Sequence, residues 1–151
     1  MVQEQFKVAE VQLSYKPDYN INDRPKITSS NQMFQLIKNH WDTGKIAFLE
    51  EFKVILFNRT NRVLGIADIS MGGVSGTYVD PKVIFAIALQ GNASGIILAH
   101  NHPSGLLLPS DADLKLTKRL VECGKLLDVN IWDHLIINED NYYSFADDSM
   151  I

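Results

Sequence analysis

The chain predicts a single α/β domain, a mixed β-sheet with helices packed against it. Three observations carry that expectation. Strand-like runs alternate with segments of helical periodicity instead of being gathered into separate blocks. Ser94–Ala99 (SGIILA) is a short apolar run, as expected of a central strand covered on both faces. The length, 151 residues, suffices for one domain with a genuine core and is too short for two comfortable ones.

Phe6–Tyr15 (FKVAEVQLSY) is rich in strand formers without holding one alternating phase, and reads as a bulged edge strand. Lys16–Thr28, with its prolines and asparagines, reads as an exposed connection. Ser29 or Ser30 can cap a helix whose Met33, Phe34, Ile37 and Trp41 fall at helical spacing, with Gly44 ending it. Ile46–Phe57 then reads as a strand, Asn58–Asn61 as a turn and Arg62–Ser70 as a second strand. The loop Met71–Tyr78 carries Gly72, Gly73 and Gly76. Their spacing matches no phosphate cradle and suits a tight turn or a flap. Asp80-Pro81 opens a helix with a capping carboxylate ahead of a proline, and Gly91-Asn92 ends it. Ser94–Ala99 delivers the chain into His100. Ser110 caps a long helix reaching Leu127, Val129–Asn138 is a further strand, and Tyr142–Phe145 a short last one.

Composition narrows the function. Hydrophobic residues at 46% and charged residues at 21% are ordinary for a soluble globular domain. No run approaches the ~18 apolar residues of a spanning helix, and Met1–Lys7 is too polar for a signal peptide. A cytoplasmic protein is the expectation, with no membrane partner. The single cysteine, Cys123, excludes an intramolecular disulfide and any cysteine-based zinc cluster, and its apolar helical neighbours suggest a buried inert thiol. With a net charge of −4 and no basic run, the electrostatic footprint of nucleic-acid binding is missing.

The most informative stretch is His100-Asn-His102, followed by Pro103-Ser-Gly105 and Pro109-Ser110-Asp-Ala-Asp113. Two imidazoles and a carboxylate suit a divalent zinc ion that keeps one coordination position for water. Residues two apart in an extended chain point the same way, so His100 and His102 share a face where the central strand ends. On the next helix, Asp111 lines up with Lys115, Lys118, Glu122 and Lys125, a stripe that faces water. Asp113 lines up instead with Leu116, Leu120, Cys123 and Leu127, a stripe that faces the core. An inward carboxylate needs a partner. That partner is either a metal shared with the histidines or, in a capping box, the backbone N–H of Ser110.

The same phase reasoning applies to the strand from Ile46. Ile46, Phe48, Glu50, Phe52, Val54 and Leu56 form an inward set, whereas Glu51 and Lys53 belong to a partly solvated one. Burial moves a carboxyl towards the range where it exchanges protons at neutral pH, which suits Glu50 to serve a metal-activated water. The alternative is a wet glutamate at a fraying strand start. Ser110 either caps its helix, worth about 1 kcal/mol, or donates to the oxyanion of a tetrahedral intermediate; the two roles are not exclusive. His134 reads as a hydrogen-bonded structural histidine, with a fourth ligand or a substrate contact as alternatives. Ser104 shapes its loop or touches substrate.

Glu50, His100-x-His102, Ser110 and Asp113 together resemble the JAB1/MPN (JAMM) metalloprotease motif. The fuller wording, Ala99-His-Asn-His-Pro-Ser-Gly105 with Pro109-Ser-x-x-Asp113 and Asp133-His-Leu-Ile-Ile137, resembles the RadC branch of that family. The resemblance implies a cytidine-deaminase-like, three-layer fold in a domain spanning residues 27–151; the strand and linker expected over 1–26 are this chain's own departure from that pattern. It also implies zinc on His100, His102 and Asp113, Glu50 as general base and Ser110 as oxyanion stabiliser. The expected activity is that of a zinc-dependent metallohydrolase, a peptidase or isopeptidase, with a peptide or protein substrate. The alternative is a non-catalytic DNA-repair accessory or protein–protein interaction module. The helix-hairpin-helix module common in that branch has no room in 151 residues. A nucleobase deaminase would need H-x-E and P-C-x-x-C, and the chain has neither.

Overall fold

Each helix of the chain begins where a short polar side chain can take up amides that a helix start leaves unpaired. In the computed structural model, which describes residues 7–12, 14–72 and 78–151, three such caps define three helices. Ser29 accepts from the Gln32 N–H ahead of α1 (Ser30–Lys38). Asp80 accepts from the Lys82 N–H ahead of α2 (Pro81–Gln90), and Ser110 from the Asp113 N–H ahead of α3 (Asp111–Leu127). The α1 helix stops at Asn39, short of the expected Gly44. That glycine lies in the following turn, where its N–H donates to Asp42 Oδ1 at 2.8 Å.

The strands β1 (Glu51–Phe57), β2 (Val63–Met71), β3 (Gly95–Asn101), β4 (Asn130–Ile137) and β5 (Tyr142–Ser144) form one sheet in the order β2-β1-β3-β4-β5. Every pairing is antiparallel except β3 with β4, whose parallel connection needs a crossover that α3 supplies. All seven residues of β1 and all seven of β3 are buried. Phe52, Val54, Leu56, Ile96 and Leu98 pack against Ile84, Phe85 and Ala88 of α2 and Leu120 of α3. On the other face Ile55, Phe57, Ile97, Ala99 and Leu135 pack against Met33, Phe34 and Ile37 of α1 and against Trp41. The result is three layers, helix on sheet on helix, in agreement with the expected α/β class. Close packing also dictates Gly95, where an added Cβ would fall 2.2 Å from the Trp132 ring.

Three expectations need correction. The strand expected from Ile46 starts only at Glu51. Ahead of it the Lys45 and Ile46 N–H groups bond back to Asp42 O, and those of Phe48 and Leu49 to Lys45 O, closing a turn that leaves Phe48 exposed. The second face of β1 is not solvated either. Glu51 and Lys53 are both buried, the Lys53 ammonium pairing with Asp68 and lying 4.8 Å from the Trp41 ring centre. Of the edge strand expected over 6–15, Phe6 and Leu13 lie outside the described residues, and the described ones form no strand. Val8 and Val11 are exposed. The chain reaches the sheet edge later, where Tyr15 and Tyr19 hydroxyls donate to Leu64 O and Lys26 bridges Arg62. The glycine loop is described at Gly72 and Tyr78; Gly73 and Gly76 lie outside the described residues.

Candidate metal centre

The central strand β3 ends in the two histidines, and three other segments meet it there. His100 is buried and His102 half-buried. Their Nε2 atoms stand 3.0 Å apart. The first turn of α3 brings Asp113 back over them, with Oδ1 3.2 Å from His100 Nε2 and Oδ2 3.3 Å from His102 Nε2. Glu50, the last residue before β1, is 8% exposed and places Oε1 4.0 Å from His100 Nε2. Ligand atoms of Glu50, His100 and His102 lie within 4.8 Å of one another. Glu51 faces Lys53 instead, at 4.0 Å.

Hydrogen bonds behind the imidazoles fix which nitrogen carries a proton. Thr117 Oγ1 donates to Asp113 O at 2.7 Å, so towards His134 Nδ1, 2.6 Å away, that hydroxyl can only accept. His134 therefore carries its proton on Nδ1. Burial, with the neighbouring His100 in support, pushes the His134 imidazole well below its ordinary pKa and keeps it neutral. Its Nε2 is then an acceptor, 2.8 Å from His100 Nδ1, which must donate. His102 Nδ1 faces the Leu106 carbonyl at 2.7 Å and must donate as well. While both rings are neutral, the two facing Nε2 atoms are bare lone pairs.

The centre thus gathers two imidazole lone pairs and two carboxylate oxygens with no donor among them. Such a set is stable only around a cation. A proton can serve: the hydrogen bond to Asp113 raises the His102 pKa, against the opposing pull of burial. Burial alone would push Asp113 up, but an imidazole of His100 or His102 that takes a proton on Nε2 donates to it, outweighs burial and holds the carboxyl well below its usual range. A divalent metal serves better, because neutral imidazoles and a carboxylate are the donors zinc takes. The residues fit that ion.

Asp113 also completes the capping box, accepting from the Ser110 N–H at 2.7 Å while Ser110 Oγ accepts from the Asp113 N–H at 3.1 Å. The two readings of Asp113 therefore hold together in one side chain. The cap uses a lone pair of Ser110 Oγ and leaves its hydroxyl proton to donate elsewhere. His134 is the buried hydrogen-bonded histidine expected, but its contact with His100 and the role of Thr117 were not foreseen. Thr117 was legible in principle, since it follows Asp113 by four residues on the inward stripe. Beside His102 a cleft of about 260 Å³ opens, lined by Ile46, Ala47, Pro103, Ser104, Asn138 and Asp140 among others. Among the described residues no helix is long and apolar enough to cross a membrane.

A three-layer mixed sheet with His-x-His closing its central strand and an aspartate in the next helical turn defines a JAB-type domain. The family model described as the RadC-like JAB domain matches residues 27–150, and the chain belongs to that family. Its relatives include the UPF0758 protein of Flavobacterium johnsoniae, 46% identical over 125 residues, covering 83% of this chain and 53% of the relative. The UPF0758 protein of Porphyromonas gingivalis is 37% identical over 151 residues, covering 95% of this chain and 63% of the relative. That of Alkaliphilus metalliredigens is 44% identical over 102 residues, covering 68% and 44%. The chain spans about half the length of these relatives.

Proposed function

We propose that this domain is a zinc-dependent hydrolase that cleaves amide bonds, peptide or isopeptide, in peptide or protein substrates. The observation that carries the proposal is the convergence of two imidazole Nε2 atoms and the Asp113 carboxylate, which share no proton donor while both rings are neutral. His100, His102 and Asp113 would hold the ion. Zinc bound there would polarise a carbonyl and lower the pKa of water.

The remaining work falls to the chain's own side chains. Glu50, buried and 4.0 Å from His100 Nε2, takes a proton from the attacking water and returns it to the departing amine. The Ser110 hydroxyl, at the entrance to α3, donates to the oxygen that gains negative charge. Thr117 and His134 hold the His100 ring in the tautomer the ion requires. The cleft beside His102 receives the polypeptide on one side of the scissile bond.

Elemental analysis of purified wild type beside His100→Ala and Asp113→Ala tests the site. Zinc at about one equivalent in the wild type and near none in both variants is the expected result. Cleavage of a mixed library of internally quenched peptides, stopped by a chelator and restored by zinc, is expected alongside. Zinc held by either variant would show that the ligands are wrongly chosen.

Loading is expected to depend on pH with a definite sign. In metal-free protein Asp113 raises the His102 pKa, so below that raised value zinc must displace a proton from the imidazole. Affinity is expected to fall about tenfold per pH unit below the raised value. Calorimetry in buffers of differing ionisation heat reads the released proton directly. Proton release that does not grow as the pH falls would contradict the assigned competition.

A further inference from the structure

We propose that Asn101, the residue between the two histidines, is the positioning residue for Glu50; this rests on reading Glu50 as the proton acceptor. Asn101 ends β3 and is fully buried, on the opposite face of the strand from His100. Its Oδ1 accepts from the Glu51 N–H at 2.7 Å. Its Nδ2 donates to Ile46 O at 2.7 Å and to Leu49 O at 2.8 Å. These partners fix the orientation of the amide, since two carbonyls demand the nitrogen and an N–H demands the oxygen.

The consequence lies in which peptide planes are held. Leu49 O belongs to the plane before the Glu50 Cα, and the Glu51 N–H to the plane after it. One side chain therefore pins both planes that flank Glu50, and with them the direction of its Cβ. Glu50 O, in the second plane, is further held by the Gly72 N–H at 2.8 Å. The β1–β2 ladder, which starts at Glu51 opposite Met71, reaches only that second plane. The 42–49 turn has ended, and the β1–β3 ladder begins only at Phe52 opposite His100. Asn101 bridges that gap. Because it is bonded covalently to both histidines, their spacing to Glu50 is set over very few rotatable bonds.

The test compares wild type, Asn101→Ala, Asn101→Asp, Glu50→Gln and the double variant Glu50→Gln with Asn101→Ala, all in the full chain. Amide exchange is read first, on metal-free protein. Asn101→Ala is expected to speed exchange at Glu51 by about 10²-fold while Val54 and Leu98 stay protected. Asn101→Asp keeps an acceptor for the Glu51 N–H but sets an anion against the Ile46 and Leu49 carbonyls. It is expected to protect Glu51 and to loosen the Phe48 and Leu49 amides.

On the quenched peptides, Asn101→Ala is expected to lower kcat by about 10²-fold with KM nearly unchanged and zinc retained. In the Glu50→Gln background the same change is expected to add nothing, which a general structural role would not produce. Unchanged exchange at Glu51, losses that add in the double variant, or protection lost across the whole sheet in both Asn101 variants would each overturn the proposal. Should Asn101→Ala fail to fold, Asn101→Asp with wild-type kcat and an unaltered 46–49 turn overturns it. Wild-type inactivity on every peptide, with exchange altered as described, counts against the hydrolase reading and for the placement of Glu50 by Asn101.

Discussion

Glu50→Gln is expected to lower turnover on the quenched peptides by about 10²–10⁴-fold while zinc content stays at the wild-type level. The substitution keeps the size of the side chain and removes only its capacity to take a proton. Glu50 is not needed to close the acceptor set, because His100, His102 and Asp113 already converge within 3.3 Å. Its Oε1 sits farther out, at 4.0 Å from His100 Nε2, where a water could reach both it and an ion. Glu51→Gln is the paired control. That carboxylate is buried on the Lys53 side of the strand, and its loss is expected to act on stability. Wild-type turnover in Glu50→Gln, with turnover lost in Glu51→Gln, would reverse the assignment of the two glutamates.

His134→Phe is expected to weaken zinc binding by about 10–100-fold although His134 is not a ligand. The phenyl ring fills the space between His100 and Phe145, whose ring centres lie 4.8 and 4.7 Å from that of His134. It offers no acceptor to the His100 Nδ1–H and no donor to Thr117 Oγ1. His100 would then be free to move its proton to Nε2, the atom the ion requires bare. The His100 Nδ1–H, buried and left without its acceptor, is also expected to cost about 1–3 kcal/mol, read from denaturant midpoints, whereas Thr117 Oγ1 keeps its bond to Asp113 O. Thr117→Val removes only the far end of the chain and is expected to give a smaller loss in the same direction. Zinc titration against a competing chelator decides the matter. An affinity equal to wild type would mean that His100 needs no support from behind.

Much of this arrangement could be read from the chain before its fold was known, and the reasons are local. Caps at Ser29, Asp80 and Ser110 and the apolar run 94–99 are signals carried by a few adjacent residues. Facing of His100, His102 and Asp113 follows from periodicity alone. Glu50 turned inward as expected but for a different reason. No strand alternation reaches it, because residues 42–49 fold into a turn, and side-chain bonds from Asn101 orient it instead. Asn101 lies 50 residues from Glu51, and His134 lies 34 from His100. Contacts at such separations leave no periodic trace in a single sequence. The same limit misjudged Lys53, whose charge suggested solvent until Asp68 and Trp41 closed over it.

The loop from Pro103 to Pro109 is held at both ends by the same few atoms. His102 and Asp113 face each other at 3.3 Å, and the capping box locks Ser110 to Asp113. Between these anchors Leu106 and Leu108 project into solvent. The side chains at 106 and 108 can therefore be exchanged while the centre keeps its dimensions, so long as the Leu106 carbonyl stays on His102 Nδ1. The rim of the centre can thus change shape independently of the acceptors it borders.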